Sequence, residues 1–377
     1  MKKARIYPSI LITFVLLCAC GKSKQQVYDN GVIELGHLMN CNIGSSFESM
    51  GFQAEIVALE TTEKSMLPHN SHVVYATKSD VFIIGRNRLF RFGTDGKFKN
   101  LVGTHGQGPT EYSQIHSVSF NEEDSLVNIY DNSRRILVWS MDGKPVKEVN
   151  LDPDGYISMA YAVSDGYWAE ERIMTDGKVT YCLTWFDRDG LPTDRKEIFS
   201  FTNKNTATYY TAPIVNQISD KQYFYYDAFS CAGYMITDNN VEKTVNLDYG
   251  HFGAESDKLN DMAYRDRNRN NLCQVLDFYY DTDRIMLLTV TGLQFRASII
   301  NTISGECLFC HDIDNPRKGG GIRIWNGSDL CSWPSCLNDD AMFGLVDTSE
   351  IDEDIMKRFN IANDTESNPC LVVIKHQ

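Results

Sequence analysis

Short apolar runs separated by polar turns alternate along most of this chain. A strand that runs into Asp-Gly predicts a hairpin, because glycine adopts positive φ without a Cβ clash. Such pairs recur 47 residues apart, from position 95 to 142 and from 142 to 189. A hairpin repeated at this period is typical of β-propeller blades. The three repeats are Leu89–Phe92 before Asp95-Gly96, Ile136–Trp139 before Asp142-Gly143, and Leu183–Phe186 before Asp189-Gly190.

Six such units predict an all-β fold, a six-bladed β-propeller with four-stranded antiparallel blades. The folded part starts on the alternating segment Ala54–Glu60 and ends on the apolar segment Cys370–Ile374. We expect these N- and C-terminal strands to close the ring. The six units are Val81–Ile84 with Leu89–Phe92, Leu126–Tyr130 with Ile136–Trp139, Gly166–Ala169 with Tyr181–Phe186, Tyr223–Tyr226 with Gly233–Ile236, Arg284–Val290 with Arg296–Asn301, and Ile322–Trp325 with Asp329–Trp333.

Two segments depart from the strand pattern and predict short helices. Ala254–Cys273 is polar and rich in charge, which favours a helix inserted on a loop. Ser349–Phe359 has acidic residues early and basic residues late, as the helix dipole prefers, with Ser349 as the expected cap.

The N-terminus has the features of a lipoprotein signal. Basic residues at positions 2, 3 and 5 precede the apolar run Ile10–Leu17, which is too short to span a bilayer. Leu17-Cys18-Ala19-Cys20 then matches a lipobox, so we expect cleavage before Cys20 and lipidation of its thiol. An ordinary secretory signal is the alternative. The predicted domains are a signal peptide at 1–19, a lipidated cysteine with tether and leader at 20–50, and one propeller at 51–377.

Charge narrows the range of partners. The 377 residues carry a formal net charge of −14, and removing three basic residues with positions 1–19 would make it −17. Such acidity argues against nucleic acid or anionic lipid headgroups as partners.

A glycine-rich loop carries a family resemblance. Val102–Tyr112 matches the Gly-x-x-Gly-x-Gly-Pro-x-Glu-Tyr/Phe loop of six-bladed, NHL/TolB-like propeller lipoproteins of Gram-negative gut anaerobes, with Thr110 where glycine is usual. Leu59–Thr62 and Asn368–Val372 are also similar to that family. The resemblance implies the propeller fold but no established activity. Gly21–Lys24 lacks the acidic residues that follow the lipidated cysteine in surface-exposed relatives, which implies the periplasmic face of the outer membrane.

Polar residues at strand ends and in the glycine-rich loop are candidates for ligand binding. Backbone amides of the loop could hold an anion, although a tight turn between blades explains the glycines equally. Aspartates that follow apolar strands could line a channel mouth beside nearby arginines, or could simply cap their own turns. The candidates are Arg86, His105, Glu111, Asp131, Arg135 and Asp227. Four aromatics could stack on sugar rings if exposed, although alternation within strands explains them equally: Tyr209, Tyr210, Tyr279 and Tyr280.

Cys307-Leu308-Phe309-Cys310-His311 matches the attachment signature of c-type haem. It falls where a blade needs its next strand, so a structural role is the expectation and no cofactor is predicted. A zinc site that adds Cys331 and Cys336 is a further alternative, weakened by their loose spacing.

These observations favour a monomeric, membrane-anchored propeller of the cell envelope that binds a glycan, a peptide or a partner protein, rather than an enzyme. The alternative is a metal-dependent hydrolase or lyase with calcium or zinc in the central channel. Such a site is assembled from separated positions and leaves no motif in a single sequence.

Overall fold

The computed structural model is a six-bladed β-propeller built from antiparallel sheets, which confirms the predicted fold. It describes residues 26–131, 134–202, 212–238, 240–255, 258, 260–281, 283–338, 340–362 and 367–376. The predicted signal peptide and Cys20 lie outside the described residues, as do Tyr209 and Tyr210. Among the described residues, no helix combines the length and apolarity needed to cross a membrane.

The N-terminal part of the described chain, residues 26–50, is called here the N-terminal strap. It packs against blades 4 and 5 through Ile33, Leu35 and Leu38, which are at most 1% exposed. Its regular elements, with the strand that follows, are β1 (Tyr28–Asp29), β2 (Val32–Glu34), α1 (Leu35–Asn40) and β3 (Phe52–Ala58).

The blades are consecutive along the chain, and each runs from an inner to an outer strand. Blade 4 is widened by β2, which pairs in parallel with its outer strand. The strands of blades 1 to 3 are β4 (His72–Ala76), β5 (Asp80–Gly85), β6 (Arg88–Gly93), β7 (Phe98–Val102), β8 (Ser117–Asn121), β9 (Leu126–Asp131), β10 (Arg135–Ser140), β11 (Pro145–Asn150), β12 (Tyr156–Val163), β13 (Gly166–Thr175), β14 (Lys178–Phe186) and β15 (Pro192–Thr202).

Blades 4 and 5 continue this order, and a two-stranded ribbon, β24–β25, separates blade 5 from blade 6. The remaining elements are β16 (Ile214–Ser219), β17 (Gln222–Asp227), β18 (Ala232–Thr237), β19 (Asn240–Asp248), α2 (Met262–Asn268), β20 (Cys273–Tyr280), β21 (Arg284–Thr291), β22 (Gln294–Asn301), β23 (Cys307–Ile313), β24 (Ile322–Arg323), β25 (Cys331–Ser332), β26 (Cys336–Leu337), β27 (Ala341–Val346), α3 (Glu353–Phe359) and β28 (Cys370–His376).

The predicted hairpins of blades 1 to 5 are the central strand pairs of those blades, but the prediction for blade 6 is wrong. Ile322–Trp325 and Asp329–Trp333 contribute to the separate ribbon, whose strands are two residues long. Blade 6 consists of β26, β27, β28 and β3. The ribbon has the apolar composition of a blade hairpin, and this composition is the reason why it was predicted to be blade 6.

Closure of the ring occurs as predicted. The N-terminal strand β3 is the outer strand of blade 6 and pairs antiparallel with the C-terminal strand β28, from Ala58 opposite Cys370 to Phe52 opposite His376. All seven residues of each strand take part, so the first and last parts of the propeller share one sheet.

The repeated glycines join neighbouring blades. Gly96, Gly143 and Gly190 have φ between 81° and 88°, in the turn before the outer strand of their blade. The Gly96 carbonyl accepts a 2.8 Å hydrogen bond from Glu60 N, and the Gly190 carbonyl accepts one of 2.9 Å from Asp152 N. A Cβ on Gly190 would lie 2.1 Å from the carbonyl oxygen of Asn150 on the preceding blade. The repeat therefore marks the positions where one blade contacts the next.

Both predicted helical segments contain helices. In the first, α2 begins after Asp261, whose carboxylate accepts a hydrogen bond from Tyr264 N. In the second, Ser349 is not the cap: it lies in a short 3₁₀ turn and donates to Asp347, which caps that turn. The helix α3 starts after Asp352 instead. Asp347 accepts hydrogen bonds from both the Ser349 amide and its hydroxyl, so Ser349 belongs to a turn that precedes α3.

Candidate functional site

A cavity of about 1240 Å³ lies where the inner strands of the six blades face one another. Every inner strand, β4, β8, β12, β16, β20 and β26, supplies residues to its wall. Pockets for small molecules usually occupy roughly 300–1,000 Å³. The central cavity therefore has room for a ligand larger than a typical metabolite.

Aromatic side chains and a partly buried acid contribute to the wall. Trp333 Nε1 donates a 3.0 Å hydrogen bond to Asp277 Oδ2. Burial raises the pKa of Asp277, and the Trp333 hydrogen bond and the charge of Arg317 partly oppose that shift. Tyr161 and Tyr280 line the same cavity. Rings of this kind bury large apolar faces and still offer a polar group, as binding sites for sugars and peptides require.

Histidines from blades 1 and 2 line another part of the cavity wall. His72 is accessible from the cavity but crowded by protein atoms, and this burial lowers the pKa of its imidazole. His116 also lines the cavity, and its buried Nε2 has no hydrogen-bond partner among the described residues. An unpartnered buried nitrogen costs free energy unless something pairs with it, so a ligand group is a natural partner for His116.

Charges of both signs surround the cavity. Arg317 and Lys318 lie in the loop after blade 5, and Asp347 and Glu350 follow β27. A Cβ added to Gly319 would lie 2.0 Å from Glu350 Oε1. The loop that contains Gly319 is therefore in direct contact with Glu350. Burial and the nearby charge of Asp347 raise the pKa of Glu350. The site can therefore pair with both donors and acceptors of a polar ligand.

Three of the residues predicted from the sequence come together at the glycine-rich loop. Arg135 Nη2 donates to Asp131 Oδ2 at 2.7 Å and to the Glu111 carbonyl at 2.8 Å, and Nη1 donates to the Pro109 carbonyl at 3.2 Å. The Glu111 carboxylate accepts a 2.8 Å hydrogen bond from Gly108 N. These contacts shape the loop itself.

Of the other three candidates, His105 lies in the same glycine-rich loop, whereas Arg86 and Asp227 lie outside it. Arg86 occupies the β5–β6 turn with φ of 43°. His105 is exposed and forms a single bridge with Tyr112 in the glycine-rich loop. The Asp227 carboxylate is buried and accepts hydrogen bonds from Phe229 N and Ser230 N, as an aspartate that caps a turn does. None of the six candidates lines the central cavity, and their role in ligand binding stays a prediction.

Sequence reasoning missed most of the cavity wall, although Tyr279 and Tyr280 were among the predicted aromatics and do line it. Short stretches from each of six distant segments form the wall, so no local motif exists. Asp277, a carboxylate inside the otherwise apolar run Val275–Phe278, is the signal that could have pointed to it.

A second cluster lies on the outer side of blade 5. The Sγ atoms of Cys41, Cys307 and Cys310 lie within 4.8 Å of one another, and all three residues are buried. Hydrogen bonds from the other two thiols lower the pKa of Cys310. Within the described chain, this is the group of three metal-binding side chains that the structure brings together, and it includes neither Cys331 nor Cys336.

The haem signature falls on β23. Cys310 is fully buried whereas the adjacent His311 is exposed, so the two side chains occupy opposite faces of the strand. His311 Nδ1 lies 2.8 Å from the Asp312 carbonyl oxygen. This arrangement does not direct the thiols and the imidazole toward one porphyrin.

The comparison with one solved structure agrees with the fold. The structure is similar to that of a protein from Bacteroides fragilis NCTC 9343 described as a "putative exported protein", with a TM-score of 0.62 and 12% identity over 92% of this chain and 99% of that one. A DUF4221 family member from Bacteroides vulgatus ATCC 8482 has a TM-score of 0.47 and 9% identity over 86% of this chain and 99% of that one.

A protein of unknown function from Bacteroides caccae has a TM-score of 0.36 and 12% identity, over 73% of this chain and 81% of that one. No curated protein matches the sequence. At these identities the likeness to solved structures concerns the fold alone, and the resemblance to NHL/TolB-like lipoproteins stays a prediction. The profile described as "Domain of unknown function (DUF4934)" matches residues 30–375, and the chain therefore belongs to that family.

Proposed function

We propose that this protein is a monomeric binding protein of the cell envelope that holds a glycan or peptide chain in its central cavity. The cavity carries the proposal: it exceeds a small-molecule pocket in volume, and its wall combines aromatic rings with groups of both charges.

Trp333 is the residue whose replacement tests this function. Trp333→Ala removes an aromatic surface and the donor to Asp277, and should weaken binding of the ligand by at least about tenfold. Trp325→Ala is the matched control, because Trp325 stacks on Phe359 with ring centroids 5.7 Å apart and lies outside the cavity wall. Glycan and peptide arrays probed with the purified chain identify the ligand, and calorimetry measures both variants.

Equal binding by wild type and Trp333→Ala, with both variants folded by circular dichroism, would place the site elsewhere. Failure of every glycan and peptide to bind would contradict the function itself. The glycine-rich loop candidates supply the next variants in the first case, beginning with Glu111→Gln and Arg135→Gln.

Anchoring to the membrane belongs to the same proposal. The lipobox at Cys20 supports it, as does the similarity to a B. fragilis protein described as a putative exported protein. Two or more acyl chains on Cys20 would hold the propeller at the periplasmic face of the outer membrane. Cys20→Ala should move the protein from the membrane to the soluble fraction, and a variant that still partitions with membranes would contradict the anchor.

The alternative, a metal-dependent hydrolase or lyase, has no specific observation behind it. The histidines and carboxylates around the cavity, as far as the described residues extend, include no group of three whose donor atoms lie within 4.8 Å of one another. Binding is therefore the function that the geometry supports best.

A further inference from the structure

Three thiols from two distant parts of the chain meet in one buried place. Cys41 follows helix α1 of the N-terminal strap, and Cys307 and Cys310 belong to β23, the outer strand of blade 5. Their exposed fractions are 3%, 2% and 0%. All three Sγ atoms lie within 4.8 Å of one another, which is close enough for one ion to contact them all.

An irregularity in β23 directs both of its cysteines to the same side. Residues three apart on a regular strand face opposite sides of the sheet. Here Cys307 pairs with Ile300 and Cys310 with Ser298, so Leu308 is the extra residue of a β-bulge. Because Ile300 and Ser298 share a face of β22, Cys307 and Cys310 also share that face. Bulges of this kind often redirect a side chain next to a functional site.

The strap holds Cys41 opposite this pair. Ile43 and Cys310 exchange two backbone hydrogen bonds of 2.9 Å each. Arg296 Nη1 donates to the carbonyls of Leu38 and Cys41 at 2.9 and 2.8 Å. The backbone on both sides is thus fixed, and the three thiols do not depend on flexible side chains to meet.

Other groups around the thiols complete the surroundings. Arg296 Nη1 lies 3.7 Å from Cys310 Sγ, and its Nη2 is 2.6 Å from Asp312 Oδ1 at the partly exposed edge. The Ser298 hydroxyl lies 3.3 Å from Cys310 Sγ.

We propose that Cys41, Cys307 and Cys310 bind one zinc ion as thiolates. On binding, each thiol loses its proton to solvent as its Zn–S bond forms. Zinc with three thiolates carries one negative charge, and the Arg296 guanidinium beside Cys310 offsets it. The ion would connect the strap to blade 5 and stabilise the folded protein, as structural zinc does in small domains.

Direct metal analysis tests this proposal. The full-length chain is purified anaerobically with reductant, exposed to Zn²⁺ and desalted. Its zinc content is then measured by elemental mass spectrometry. We expect close to one zinc per chain. Replacement of zinc by Co²⁺ should produce a thiolate-to-cobalt charge-transfer band, which reports coordination by sulfur without any assay of function.

Cysteine variants locate the site. Cys41→Ser and Cys310→Ser should each lower the affinity for Zn²⁺ by at least about 100-fold. Substitution of a residue that only hydrogen-bonds to a metal ligand usually costs less than this. Cys182→Ser is the matched control, because Cys182 is equally buried but lies in blade 3. Removal of zinc by a chelator should lower the Tm of wild type and of Cys182→Ser, and leave the Tm of Cys310→Ser unchanged.

Three results would overturn the zinc site. One is a wild-type protein that keeps less than about a tenth of an equivalent of zinc and shows no cobalt charge-transfer band. Another is full zinc retention by Cys41→Ser and Cys310→Ser. The third is a disulfide between two of the three cysteines that persists in protein isolated with zinc, since a disulfide leaves only one thiol for an ion. If one of the two variants fails to fold, the other variant together with the cobalt band in wild type decides the question.

Discussion

At the scale of single residues, two adjacent buried acids in β13 differ in how they are neutralised. Glu171 lies 2.9 Å from Arg195 Nη2 and accepts a 2.7 Å hydrogen bond from the Thr184 hydroxyl. Glu170 has mainly neutral donors: the hydroxyls of Ser158 at 2.9 Å and of Tyr225 at 3.1 Å. Burial therefore dominates at Glu170 and raises the pKa of its carboxyl to about 7.

Glu170 should make the stability of the protein depend on pH. Its pKa in the folded state lies above the ordinary glutamate value of 4.5, so the folded state binds the proton more tightly than the unfolded state. Its contribution is complete below about pH 4.5 and is lost as the pH rises through about 7. Glu170→Gln should reduce the drop in unfolding free energy between about pH 4 and about pH 8 by on the order of 3 kcal/mol.

Urea denaturation across this pH range measures the effect. Glu123→Gln is the control, because Glu123 is an exposed acid in a turn of blade 2. An equal pH dependence in wild type and Glu170→Gln would mean that Glu170 stays ionised and that Arg172, 3.8 Å away, compensates its charge.

At the scale of elements, the turn glycines fix the spacing of the blades. Gly190 has φ of +88°, and a Cβ there would lie 2.1 Å from the Asn150 carbonyl oxygen. Gly177 has a similar φ of +77°, but a Cβ added there would meet no atom within 4 Å among the described residues. A comparison of Gly190 with Gly177 therefore distinguishes the effect of backbone strain from that of a clash between blades.

Alanine at these two glycines should have unequal effects. Gly177→Ala adds only the strain of positive φ, about 1 kcal/mol of unfolding free energy. Gly190→Ala adds the same strain and also forces the Asn150 backbone away, so we expect a loss of about 3 kcal/mol or more. Urea denaturation of both variants at neutral pH measures the difference. Losses of equal size would show that the turn does not hold blade 3 against blade 2.

The elements also show which parts of the fold could be predicted from the sequence. Blades 1 to 5 were predictable because their central strands are five or more residues long and end in turn residues, which in blades 1 to 3 recur every 47 residues. Blade 6 lacks that signal: β26 has two residues, and α3 separates β27 from β28. The ribbon near Trp325 has the apolar composition expected of the blade 6 hairpin. Its strands are nevertheless only two residues long, because strand length depends on contacts with other elements that the sequence does not show.

The candidate sites depend on long-range contacts, which a single sequence does not reveal. Cys307 and Cys310 stood out as a motif, but their partner Cys41 lies in a segment that was expected to be part of the leader. Trp333, just after the ribbon, meets Asp277 of blade 5. In each case the residue types were visible in the sequence and their proximity was not.

At the scale of the whole molecule, two N-terminal segments make different contributions to one closed ring. Strand β3 supplies the outer strand of blade 6 and covers the edge of β28. The strap lies against blades 4 and 5, where Ile33 and Leu38 enter a core already formed by blade residues. Loss of β3 opens the ring, whereas loss of the strap uncovers a surface of a ring that remains closed.

Truncation distinguishes these contributions. A chain of residues 51–377 keeps β3, so it should remain monomeric and unfold cooperatively, with a lower Tm than the chain 26–377 because Ile33 and Leu38 are missing from their core. A chain of residues 60–377 exposes the backbone groups of β28, and unpaired edges of this kind aggregate. It should therefore elute as aggregates in size-exclusion chromatography and lose the cooperative transition in circular dichroism. If the chain 60–377 were as monomeric and as cooperative as 51–377, then pairing of β3 with β28 would not be what closes this propeller.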